Sequence, residues 1–110
     1  IEGKGEYIFD VVYISDCIKA IELALDTPNT GIYNIGSGEP VSLNQIVSVI
    51  DSYTYHITKK HVPIRHADPK DLKKGYVMSL EKSKKHLCYQ PQYKGVEVVQ
   101  QVLYDYHANQ

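Results

Sequence analysis

Twice in its first half, the chain runs from a short apolar stretch through turn formers into a segment whose apolar residues recur every three or four positions. That alternation restricts the fold to an α/β class, because strand and helix periods succeed each other along the chain. The first apolar run spans residues 7–14, and its Val11, Val12, Tyr13 and Ile14 predict a buried strand. Ser15 or Asp16 is placed to cap a helix carrying Ile18, Ile21 and Leu25, with Ala20 and Ala24 beside them, and Thr27-Pro28-Asn29 stops it. A second strand is expected over residues 32–35, entering the loop Gly36-Ser37-Gly38-Glu39-Pro40. Ser42 with Gln45 forms a capping-box pattern, with Val41 able to staple onto Ile46. The helix so begun buries Ile46, Val47 and Ile50 and fades near Ser52 or Tyr53.

The second half is less regular. Residues 55–65 predict a short strand or extended segment ending at Arg65-His66-Ala67-Asp68-Pro69. A polar loop over residues 70–75 and a short strand at Tyr76-Val77-Met78 follow. Ser79 is expected to cap a Lys-rich helix to Leu87, and a last helix from Gly95 or Val96 to about His107 is expected to bury Val99, Val102, Leu103 and Tyr106. At 110 residues the chain is one domain. Twelve Lys+Arg against thirteen Asp+Glu give a net charge of -1, which favours neither nucleic acid nor an anionic membrane as partner. No apolar run approaches the roughly 20 residues that span a bilayer, and a cytoplasmic location is expected.

Few residues advertise chemistry by type alone. Gly36-Ser37-Gly38 lies between a strand and a helix as a dinucleotide-binding turn does, but Val41 stands where the third glycine belongs, so a structural turn is favoured. His56, His61 and His66 are spaced by five, which on an extended segment turns successive rings to opposite faces and predicts no metal site. Cys17 and Cys88 form no ligand pattern and are expected to be free thiols. Arg65 is the sole guanidinium, whose planar fork suits phosphate better than an ammonium does, although residue chemistry alone favours a surface salt bridge there.

Five segments in order resemble the extended short-chain dehydrogenase/reductase family, the NAD-dependent nucleotide-sugar epimerases and dehydratases. Gly3-Lys4-Gly5-Glu6 is similar to the family's Gly-x-Gly-Glu turn, and residues 10–16 to its Arg-Asp-Phe-Val-Tyr-Val-Asp-Asp segment. Residues 33–43, Tyr-Asn-Ile-Gly-Ser-Gly-Glu-Pro-Val-Ser-Leu, resemble its wording most closely. Arg65-His66-Ala67-Asp68-Pro69 is similar to Arg-x-Gly-Asp-Pro, and Leu87-Cys88-Tyr89-Gln90-Pro91 to Leu-Gly-Trp-x-Pro. Phe9, Ala67, Ser79 and Cys88 depart from the pattern, Phe9 by replacing an Arg that supplies a phosphate contact.

The resemblance implies that residues 1–110 form the small C-terminal α/β substrate-binding lobe, short strands with about four helices, and that the Rossmann lobe is absent from the chain. It implies a nucleotide-diphosphate sugar as ligand, with UDP-glucose 4-epimerase as the best single expectation, Arg65 on the diphosphate and Asp68 on the ribose. NAD(P) belongs to the parent enzyme and none is expected on this piece, which is expected to be inactive alone, with no catalytic residue of its own. Tyr55 and Lys59 match the bare Tyr-x-x-x-Lys pattern but stand in the wrong part of the chain for the family's pair. Apolar faces made for the Rossmann lobe are expected to drive self-association. The alternative is a non-catalytic interaction or assembly domain that keeps the lobe's fold.

Overall fold

The computed structural model describes residues 1–68 and 75–109. The expected loop over residues 70–75 lies, apart from Gly75, outside the described residues. Two strands and four helices alternate as β1 (Ile8–Asp10), α1 (Ile14–Asp26), β2 (Pro40–Ser42), α2 (Leu43–Thr58), α3 (Glu81–Leu87) and α4 (Val96–Ala108). The α/β class and the helix count agree with expectation. The sheet is smaller: β1 and β2 pair antiparallel, with Ile8 opposite Ser42, Phe9 opposite Val41 and Asp10 opposite Pro40.

The first strand stops at Asp10 instead of reaching Ile14, because helix begins there, with Tyr13 as its N-cap and no side-chain cap. Ser15 and Asp16 therefore lie inside α1 and do not cap it. Asp16 is buried, and its carboxylate accepts from the backbone N–H groups of Gln92 (2.9 Å) and Tyr93 (3.1 Å). A buried carboxylate must find donors, and here they come from the far end of the chain.

Residues 32–35 are extended but form no ladder, a correction to the expected second strand. Their carbonyls are satisfied from the side: Lys82 Nζ donates to Ile32 O at 3.0 Å and Ser83 Oγ to Asn34 O. Tyr76-Val77-Met78 likewise is not a strand, although the Tyr76 amide donates to Ile8 O at 3.1 Å. The capping box at α2 is present, with Gln45 N–H donating to Ser42 Oγ at 3.1 Å and Ser42 N–H to Gln45 Oε1 at 2.7 Å. This helix outruns the expected end at Ser52 or Tyr53 and takes in part of the segment read as a strand. It closes where Lys59 turns left-handed, φ 60°, and its N–H donates to Tyr55 O. Leu80, not Ser79, is the N-cap of α3.

The core is small. Ala20, Leu80, Leu87 and Tyr89 are buried together, with Leu23, Tyr33, Ile35 and Met78 packed on them. On α4 the buried residue is Val98, while Val102 and Tyr106, expected inside, are exposed. Helical spacing therefore identified a stripe without a neighbour to cover it among the described residues. Cys17 and Cys88 are free thiols.

Tyr89 is the largest fully buried side chain, and its hydroxyl donates to Gly36 O at 2.8 Å. Burial first, then the negative charges of Asp16 and Asp10, push its pKa up to about 12 from 10.0. Below pH 10 both folded and unfolded chains hold the proton, and the contribution is complete. As pH rises from about 10 to about 12 the unfolded chain releases it first, so stability falls across that window. Melting temperatures should drop more steeply there for the wild type than for Tyr89→Phe; equal slopes would reject the assignment.

Candidate functional site

After Lys59 the chain doubles back along α2 as an extended strap, residues 60–68. Asp51, one turn above Val47 and beside Ile50, holds its start: Oδ1 accepts from Val62 N–H at 2.6 Å and Oδ2 meets His61 Nδ1 at 2.8 Å. The Val62 amide, then His61, keep the Asp51 carboxyl below its usual value. The His61 ring stacks on Tyr55, centroids 4.4 Å apart and planes at 15°. At the other end of the strap, Ala67 pairs with the first residues of the chain. Ala67 N–H donates to Ile1 O and Gly3 N–H to Ala67 O, both at 2.6 Å, while His66 Nδ1 lies 2.7 Å from Gly3 O.

Between these two attachments stands Arg65. It is exposed, and with Ile1, Val47, Ile50, Val62, Pro63 and Ile64 it lines an open concavity of about 260 Å³. Among the described residues no carboxylate lines this apolar wall beside the guanidinium, so the fork can donate to both oxygens of an oxyanion. Asp68 is exposed too, but it is not among the residues lining the concavity. Alternation along an extended strap puts Arg65 and Ala67 on one side and His66 and Asp68 on the other.

The glycine loop is occupied by the protein itself. Asp10 lies beneath it, and its carboxylate accepts from Ser37 N–H at 2.6 Å, Gly38 N–H at 3.0 Å and Met78 N–H at 3.0 Å. A Cβ on Gly36 would come within 2.8 Å of the same carboxylate. Ser37, buried, joins the loop to the start of α4 by accepting from Gly95 N–H at 3.2 Å. The amides that a pyrophosphate would need already serve an anion of the chain, so these residues do not fit the diphosphate of NAD. The structural-turn reading of this loop holds.

Other candidates stay apart. His56, His61 and His66 do not converge, and among the described residues no group of three His, Cys, Asp or Glu side chains is placed to hold a metal. Tyr55 and Lys59 sit at the end of α2, a helix and not the strand expected there, with Lys59 Nζ 6.0 Å from the Tyr55 ring centre. What residue type alone did not reveal is the trio Asp10, Asp16 and Asp51. The signal was available for Asp10, a lone carboxylate between apolar residues of a strand, which needs donors if it is covered.

No family model matches the chain. It is 32% identical over 99 residues to a UDP-glucose 4-epimerase of Corynebacterium glutamicum, a match covering 86% of this chain and 29% of the relative. Its fold superposes on the UDP-glucose 4-epimerase of Thermotoga maritima, solved with UDP-glucose, at a TM-score of 0.77 and 26% identity, over 100% of this chain and 35% of that one. Over about a third of their length, the chain is similar in sequence and fold to nucleotide-sugar epimerases of the extended short-chain dehydrogenase/reductase family. Another member, the ADP-L-glycero-D-manno-heptose-6-epimerase of Helicobacter pylori, matches at a TM-score of 0.79 and 28% identity, covering 97% of this chain and 32% of that one. The chain thus spans about a third of the length of the family members it matches. No helix among the described residues is long and apolar enough to cross a membrane.

Proposed function

We propose that residues 1–110 form the substrate-binding lobe of an NAD-dependent nucleotide-sugar epimerase or dehydratase, with UDP-glucose as the first ligand to try and the NAD-bearing Rossmann lobe outside these residues. The observation that carries this reading is the exposed Arg65 fork on an apolar wall, with no ion pair among the described residues. It stands in a chain whose fold neighbour was solved with UDP-glucose. In this reading Arg65 binds the diphosphate and Asp68, across the strap, accepts from the ribose hydroxyls. The uncovered stripe Ile14, Ile18, Ile21 and Leu25 on α1, with Leu25 81% exposed, is the face we assign to the Rossmann lobe. Left in water, that face favours association at roughly 25 cal/mol per Å² removed from solvent.

The 110-residue chain alone, given NAD and UDP-glucose, should turn over nothing and should sediment above its monomer mass of 12.5 kDa with rising concentration. Turnover by the pure chain would overturn the division of labour between lobes. A strict monomer at all concentrations would remove the argument that α1 has lost its cover. The second reading, a non-catalytic interaction domain, draws on Phe9, which pairs opposite buried Val41 and brings no charge to the site. A full-length protein that fails to bind any nucleotide sugar in titration calorimetry would favour it.

A further inference from the structure

We propose that Asp51 and His61 are positioning residues for Arg65: together they clasp the returning strap to α2 and fix where the guanidinium stands, an inference that rests on the substrate-binding reading above. Three observations meet at this clasp. Both oxygens of one carboxylate are used, Oδ1 by the Val62 amide at 2.6 Å and Oδ2 by His61 Nδ1 at 2.8 Å. The imidazole is held flat against Tyr55, one helical turn further along α2, so its orientation is set by stacking as well as by hydrogen bonding. The clasp is then followed at once by Val62, Pro63 and Ile64, which with Val47 and Ile50 of α2 wall the concavity that Arg65 completes.

Arg65 itself has no side-chain partner of its own among the described ion pairs and hydrogen bonds, so nothing but its backbone sets its place. That backbone is held at Arg65 itself, whose carbonyl accepts from the Ile1 amino group at 2.8 Å, and on either side it is tied downstream by the Ala67 ladder to Ile1 and Gly3 and upstream through the clasp. Pro63 fixes one φ between clasp and arginine and has no N–H to bond elsewhere. Position set at Val62 is thereby transmitted three residues on. A long side chain that reaches a ligand from a wandering backbone loses rotamer and chain entropy on binding; one reaching from a pinned backbone loses only the rotamer part. Asp51 and His61 touch no ligand in this scheme and act through Arg65 alone.

The test uses the full-length protein that carries this chain, with UDP-glucose as the titrant and amide hydrogen exchange as a second readout. Asp51→Ala and His61→Ala should each speed exchange of the Val62 amide and weaken UDP-glucose binding by about threefold to tenfold. Asp51→Asn, which keeps an acceptor for the Val62 amide, should recover part of both losses. In an Arg65→Ala background neither clasp substitution should weaken binding further. Where Arg65→Ala weakens binding, the proposal is overturned if the clasp variants bind as wild type, or if their loss persists undiminished without Arg65, which would mark a general effect on the fold. Should Arg65→Ala alone bind UDP-glucose normally, the substrate-binding reading fails by itself. The clasp then stands if the clasp variants speed Val62 exchange and falls if they do not.

Discussion

In the full-length protein, Arg65→Ala should weaken UDP-glucose binding by about 1.5–3 kcal/mol, the worth of a charge-assisted hydrogen bond to phosphate. Arg65 is the sole guanidinium of the chain, and Phe9 stands where relatives are expected to carry a second one, so within residues 1–110 no other fork can share the diphosphate. Arg65→Lys should recover only part of the loss, since an ammonium keeps the charge without the two-pronged geometry. Thermal unfolding should hardly move in either variant, because the side chain is exposed and has no ion-pair partner among the described residues. Titration calorimetry and melting curves read the two quantities separately. Normal binding by Arg65→Ala, or a fall in stability matching the fall in affinity, would make Arg65 a structural residue.

The largest effect on stability is expected at Asp10. Its carboxylate gathers three backbone amides, from Ser37, Gly38 and Met78, that no other group among the described residues satisfies. Asp10→Ala leaves those donors partly covered and unpaired, and should cost about 2–4 kcal/mol in denaturant unfolding. Asp10→Asn keeps one good acceptor but presents an NH₂ group to an amide, and should fall between alanine and wild type. A loss below about 1 kcal/mol for the alanine variant would show that water replaces the carboxylate without strain.

Local chemistry was legible where it acts locally. The Ser42–Gln45 capping box needs only three residues' spacing, and it appears as expected; α4 likewise begins at Val96 after Gly95. The errors fall where a distant partner decides. Residues 32–35 have the composition of a strand, yet their carbonyls go to Lys82 and Ser83, about fifty positions on. Ser15 and Asp16 looked like caps, but Asp16 is claimed by Gln92 and Tyr93. Of the site, Arg65 was legible as the lone guanidinium in a familiar motif. Asp51 was not, because its importance comes from a chain reversal at Lys59 that turns a left-handed corner without glycine.

The junction of β1 with α1 bears on when this protein can fold during synthesis. Within seven residues Asp10, Tyr13 and Asp16 reach forward to Met78, to Asp105 and to Gln92 and Tyr93. None of these ties can form until most of the chain has left the ribosome. Each closes a loop of sixty or more residues, whose entropic cost grows only slowly with length but must be met before the contact gives anything back. The early helices are therefore made first and secured last. Until α4 emerges, the apolar face of α1 and the two-stranded sheet of β1 and β2 wait in solvent, and that interval is when a nascent chain of this design is open to capture by chaperones or by its neighbours on the polysome.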